Sequence, residues 1–102
     1  MIYRLVNTLE FDKKFFKLDN SIRHRLIKII GDLKKNPYSG KPLGYSFFRE
    51  KKFEKYRVCF LIYSVQNIIL LVNLSDKKDQ KQTIEAIKNL FDVYRKKVEK
   101  LG

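Results

Sequence analysis

Residues 49–63 read Arg49-Glu50-Lys51-Lys52-Phe53-Glu54-Lys55-Tyr56-Arg57-Val58-Cys59-Phe60-Leu61-Ile62-Tyr63, five cations among nine residues running straight into an apolar strand. The eight residues from Tyr56 to Tyr63 are aromatic, β-branched or otherwise apolar apart from Arg57, a composition that favours a strand with a hydrophobic body. Alternation puts Arg57, Cys59, Leu61 and Tyr63 on one face and Tyr56, Val58, Phe60 and Ile62 on the other. Arg57 therefore leaves an otherwise apolar wall. The short Phe53-Glu54-Lys55 segment before it predicts an antiparallel hairpin with a preceding strand at 45–51. Such pairing brings Arg49, Lys51, Lys52 and Lys55 close to Arg57.

Working outward, Val65-Gln66-Asn67 predicts a second tight turn into a strand at 68–74, so three strands meander in sequence. Upstream, residues 37–44 hold both prolines and two of the four glycines and read as a turn-rich loop. Before it, Ile22, Leu26, Ile29, Ile30 and Leu33 form an amphipathic stripe that ends at Asn36-Pro37. Phe11, Phe15 and Leu18 form a shorter one, with Thr8 placed as its cap, after a first strand at 2–6. Downstream, Ser75 or Asp76 caps one long helix carrying Ile84, Ile87, Leu90, Phe91, Tyr94 and Val98 on a single face. The expected order is β-α-α-β-β-β-α. This is an α+β domain spanning residues 1–102, with a small antiparallel sheet, a helical hairpin packed on one side and a C-terminal helix.

The charge balance names the class of partner. Lys and Arg number 23 against 11 Asp and Glu, a formal net charge of +12 on 102 residues, while 44% hydrophobic content leaves enough for a packed core. A field of that sign attracts nucleic acid or an anionic membrane surface. Cys59 is the single cysteine, which excludes an internal disulfide and a cysteine-based metal site and suits a cytoplasmic setting. No apolar run approaches the roughly 18 residues of a membrane span, and no leader-like segment is evident, so no membrane partner is expected.

Several kinds of chemistry are excluded. There is no Gly-rich phosphate loop, no pair of histidines for a metal and no Ser-His-Asp set, because His24 is the only imidazole and lies off the Ile22-Leu26-Ile29-Leu33 stripe. Cations remain. Arg57 either aims its planar fork at a phosphate or pairs with Glu50 or Glu54 to hold the hairpin. The lysines of the cluster either bind an anion or guard a sheet edge. Lys77 and Lys78, at the start of the last helix, oppose its dipole unless an anion docks there on free backbone N–H groups.

Taken in order, Asn36-Pro37, Gly40-Lys41-Pro42-Leu43, Arg49-Glu50-x-Lys52-Phe53-x-Lys55-Tyr56-Arg57-Val58 and Lys77-Lys78-Asp79-Gln80 resemble the RelE toxins of the RelE/ParE superfamily, archaeal members in particular. The resemblance covers nearly the whole chain. It implies a small sheet with two helices on one side, and a toxin that enters the ribosomal decoding site and cuts messenger RNA through attack of the ribose 2′-OH on the adjacent phosphate, without metal or other cofactor. It also implies an acidic RelB-like antitoxin that wraps the toxin in a heterotetramer or larger assembly. By position it assigns a catalytic set of Arg49, Lys52, Arg57, Lys77 and Lys78, with Lys41, Lys51, Lys55 and Tyr56 contacting RNA.

Within that set the chemistry divides among a base for the 2′-OH, positive charge for the phosphorane and an acid for the leaving 5′-oxygen. Lys52 or Lys51 is expected as base, Arg57 as phosphate stabiliser, Lys78 or Lys77 as acid or electrostatic partner, and Arg49 as an RNA-positioning group. The chain departs from the family in lacking a tyrosine between Gln80 and Ile84, and in carrying Glu54 at a turn position that is often glycine. Two other functions compete. A ParE-like gyrase inhibitor needs no cations converging on one phosphate, and a plain nucleic-acid-binding module predicts salt-dependent binding without cleavage.

Overall fold

The computed structural model describes residues 2–102. Strands β1 (Arg4–Asn7), β2 (Lys41–Tyr45), β3 (Phe48–Phe53), β4 (Tyr56–Tyr63) and β5 (Ile68–Asp76) form one sheet in the order β1-β5-β4-β3-β2. Helices α1 (Leu9–Phe15) and α2 (Asn20–Lys35) precede β2, and α3 (Gln80–Asn89) and α4 (Phe91–Leu101) follow β5. The α+β class and the three-strand meander stand as expected, and β4 has the expected bounds.

Both faces of β4 are covered, which is why its sequence reads as a continuous apolar run. On one side Val58, Phe60 and Ile62, with Ile69, Leu71 and Leu74 of β5, pack against Phe11 of α1 and Leu26, Ile30 and Leu33 of α2. On the other, Phe48, Cys59, Leu61, Leu70 and Val72 pack against Ile87 of α3 and Tyr94 and Val98 of α4. A bulge helps: Cys59 pairs with Asn73 but Phe60 pairs with Leu71, so Val72 is an extra residue in β5. The bulge turns Leu74 to the α1/α2 side and leaves Ser75, opposite Arg57, buried on the α3 side.

The helices begin where side chains satisfy their first N–H groups. Thr8 accepts from Phe11 N and donates to Val72 O at 2.6 Å, fixing the start of α1 to β5. Asp19 accepts from Ile22 N at the start of α2. At the other end of α2, Pro37 opens a short 3₁₀ turn, Pro37–Ser39, as its missing N–H dictates.

Several details differ from the sequence reading: β1 is Arg4–Asn7, β5 runs on to Asp76, and neither Ser75 nor Asp76 caps α3, whose N-cap is Asp79. The sheet is mixed, because β1 pairs parallel with β5, Arg4 opposite Ile68. Four residues are too few to announce a direction. The loop at 37–44 contains β2, an edge strand that the prolines and glycines disguised; edge positions tolerate proline. Residues 45–51 give way to β3 at Phe48–Phe53, since Ser46 and Phe47 form the β2–β3 turn. The expected single C-terminal helix is two, bent at Leu90, and the bend sets Phe91 edge-on to Tyr45, Phe47 and Phe48 at centroid distances of 5.3, 5.3 and 5.4 Å.

Candidate functional site

Cross-strand pairing places Lys52 opposite Arg57 and Arg57 opposite Ser75, so one row across β3, β4 and β5 carries both cations on the α3 face of the sheet. Beyond this row the strands end in the β3–β4 turn and in the segment leading to α3. Together they line an open cavity of about 410 Å³ whose walls are Lys52, Glu54, Lys55, Arg57, Asp76, Lys77 and Lys78. Five cations and two carboxylates thus meet where the apolar core stops. Arg57 is half-buried on the strand, while Lys52, Lys77 and Lys78 are exposed. The arrangement sets one half-buried arginine, carrying a planar fork, among exposed lysines that act as point charges.

The turn that presents Lys77 and Lys78 is built by two aspartates. Asp76 Oδ1 accepts from Lys78 N at 2.8 Å and Asp79 N at 3.1 Å, and Asp79 Oδ1 accepts from Asp76 N at 2.9 Å. Hydrogen bonds from the Asp79 and Lys78 amides hold the Asp76 carboxyl below its ordinary range. Helix α3 begins only at Gln80, so the lysines precede it. Asp76 engages the amides of Lys78 and Asp79 just before the helix, whereas no side chain caps the first turn of α3.

One row behind Lys52, Glu50 is buried and both its oxygens accept from Gln80 Nε2, at 3.0 and 2.8 Å. This clamp ties the first residue of α3 to β3 and fixes the aspartate turn against the sheet. Glu54 pairs with Arg25 of α2 at 3.0 Å. Both carboxylates considered as partners for Arg57 are therefore engaged elsewhere. Cys59, beside Glu50 on β4, is fully buried, and burial pushes its thiol up to about 12, which removes it as a nucleophile.

The remaining expected site residues lie outside the cavity. Arg49 belongs to the α1/α2 side, where its guanidinium donates to the carbonyls of Ser46, Tyr38 and Gly40 at 2.8, 3.2 and 2.7 Å and lies 5.0 Å from the Tyr38 ring centroid. It closes the 3₁₀ turn onto β3. Alternation puts Lys51 on that same far side, opposite Val58. Tyr56 packs against the α1/α2 core with Lys55 Nζ 5.4 Å from its ring centroid, and it borders a separate hollow with Lys14 and Lys17. Lys41 is exposed on edge strand β2, opposite Glu50. The sequence pointed to Lys55 as an RNA contact, and it does line the cavity; Glu54 and Asp76, also in its wall, were not singled out as site residues.

No family model matches the sequence, and no curated protein matches it either. Solved structures do. A mutant of the Escherichia coli toxin RelE in the free state superposes with a TM-score of 0.75 at 19% identity, over 88% of this chain and 99% of that one. The chain has the fold of the RelE toxins. The archaeal RelE–RelB complex from Pyrococcus horikoshii OT3 gives a TM-score of 0.65 at 18% identity, covering 76% of this chain and 97% of that chain. A YoeB/ParE toxin from Agrobacterium tumefaciens gives 0.62 at 14%, covering 72% and 96%. In this RelE fold the basic cavity lies at the end of the sheet where β3 and β4 turn and β5 runs on toward α3.

Proposed function

We propose that this chain is the toxin of a type II toxin–antitoxin pair and acts as an endoribonuclease on messenger RNA in the ribosome. The observation that carries the reading is the cavity in which Lys52, Arg57, Lys77 and Lys78 converge from two strands and a turn. Arg57, fixed on a strand whose neighbours are buried, offers a planar donor fork to a phosphate. Lys52 and the lysines of the aspartate turn add the charge that an RNA phosphate gains as its phosphorane forms. The sequence supplies no second functional candidate of comparable chemistry, since Cys59 is sealed in the core and His24 lies on the exposed side of α2.

The reaction begins when a basic group of the cavity takes the proton of the ribose 2′-OH and the freed 2′-oxygen attacks the adjacent phosphorus. The P–O5′ bond then breaks, and Lys78 or Lys77 gives a proton to the departing 5′-oxygen, leaving a 2′,3′-cyclic phosphate and a 5′-OH. Arg57→Ala removes the phosphate fork and should slow cleavage by about 10²-fold or more. The test is to map 5′ ends on programmed, translating ribosomes treated with wild type or Arg57→Ala. Intact message accompanied by loss of gyrase supercoiling would replace this reading with gyrase inhibition.

An acidic antitoxin of the RelB kind fits the net charge of +12 and the apolar side chains left exposed on the helices, among them Leu9, Ile27 and Val93. Several structures of this fold are complexes with RelB. Mixing the chain with the acidic product of an adjacent gene should shift both in gel filtration to a heterotetramer or larger species. Unchanged elution of both would count against that partner.

A further inference from the structure

Glu54 stands in the wall of the basic cavity on a backbone that its side chain does not favour. Its φ is +55°, and among the described residues only Asn67, with φ +58°, is another non-glycine residue at positive φ. Asparagine tolerates that conformation, whereas a long side chain such as glutamate rarely adopts it. Glycine is the residue that this two-residue hairpin turn accommodates without strain. The ion pair to Arg25 Nη2 gives little reason for the carboxylate, because both side chains are about half exposed, at 56% and 44%, and exposed pairs contribute little. Strained backbone that persists without a structural return marks a functional position.

Of the two carboxylates in the cavity wall, Asp76 is held in the turn by the amides of Lys78 and Asp79, both bonded to its Oδ1, and those bonds favour its charged form and weaken it as a base. Glu54 meets Arg25 through Oε2 and is otherwise uncommitted. A lysine accepts a proton only after losing its own, whereas a carboxylate holds its base form at neutral pH. Resting on the RNA-cleavage reading above, we propose that Glu54, and not Lys52, is the general base that takes the proton from the ribose 2′-OH. The 2′-oxygen then bonds to phosphorus, the P–O5′ electron pair leaves with the 5′-oxygen, and that oxygen takes a proton from Lys78 or Lys77. Glu54 ends protonated and returns its proton to solvent, and the lysine regains one. Lys52 and Arg57 remain as charge on the phosphate, and Arg25 holds the carboxylate at the rim until RNA enters.

The experiment compares single-turnover cleavage on programmed ribosomes by wild type, Glu54→Gln and Glu54→Gly, with thermal unfolding of each protein alone. Glycine relieves the positive φ, so Glu54→Gly is expected to melt at or above the wild-type temperature. Both variants are expected to lose about 10²-fold or more in rate. The wild-type rate should stay flat from pH 6 to pH 8.5. Variants that cleave within about threefold of wild type, or a wild-type rate that climbs about tenfold per pH unit as a lysine base requires, would overturn the assignment while leaving RNA cleavage intact. A wild type that cuts nothing would overturn both.

Discussion

Arg49 and Arg57 differ by eight positions and by everything their side chains touch. Arg49 spends its donors on three carbonyls, of which only that of Gly40 is part-buried, and its flat face on Tyr38, so Arg49→Ala removes these contacts and should cost about 0.5–1.5 kcal/mol in urea unfolding. Its RNA-positioning role from the sequence has no geometric support, because strand alternation turns it away from the cavity. The position was legible as a cation on a strand, and its face follows from alternation, since it lies three residues from Lys52; grouping it with Lys52 by charge alone passed over that. Lys52 and Arg57 were legible because β4 was read with the right bounds, and their cross-strand pairing follows from it. Asp76 was expected, with Ser75, to cap the last helix, but Asp79 stands at that position and Asp76 accepts instead within the turn before it. Its carboxyl lies below its ordinary value when folded, so its stabilisation is fully present above about pH 4 and disappears as the pH falls through the folded value. Asp19, lowered chiefly by Ile22 N–H, adds an acid limb of the same sign. The melting temperature should hold from pH 5 to 8, fall below about pH 4, and fall less steeply in Asp76→Asn, whose amide oxygen still accepts from the turn. An equal fall in both proteins would remove Asp76 from the account.

Among the elements, β2 is the one whose sequence hid it most completely. Pro42 and Gly44 interrupt any strand pattern, and the strand forms because β3 offers it an edge: Lys41 pairs with Glu50 and Pro42 with Arg49. Gly40, just before it, is required by approach. A Cβ there would stand 2.8 Å from Phe60 Cζ and 3.0 Å from Glu50 O. Gly40→Ala should therefore force β2 away from the core and lower stability by about 1–3 kcal/mol, read as a lower urea midpoint with unchanged slope. The bend at Leu90 was illegible for a related reason. The apolar positions from Ile84 to Val98 keep one helical period on paper, and only the rings of Tyr45, Phe47 and Phe48 show why the chain stops and restarts there.

At the scale of the whole molecule, the charge of +12 is spread over the surface but converges at one end of the sheet. Binding to single-stranded RNA should weaken with salt, each phosphate neutralised adding about 0.7 to the log–log slope, so replacing Lys77 and Lys78 together should reduce it by about 1.4. An unchanged slope would place the contacts elsewhere. The parallel pairing of β1 with β5 has a consequence in time. The bond from Thr8 to Val72 spans 64 residues, so the first strand made has no partner until most of the chain has been synthesised. By the same order Lys77 and Lys78 emerge after Lys52 and Arg57. The nascent polypeptide consequently carries its cations without the cavity that gathers them until β5 and the turn beyond it have cleared the exit tunnel.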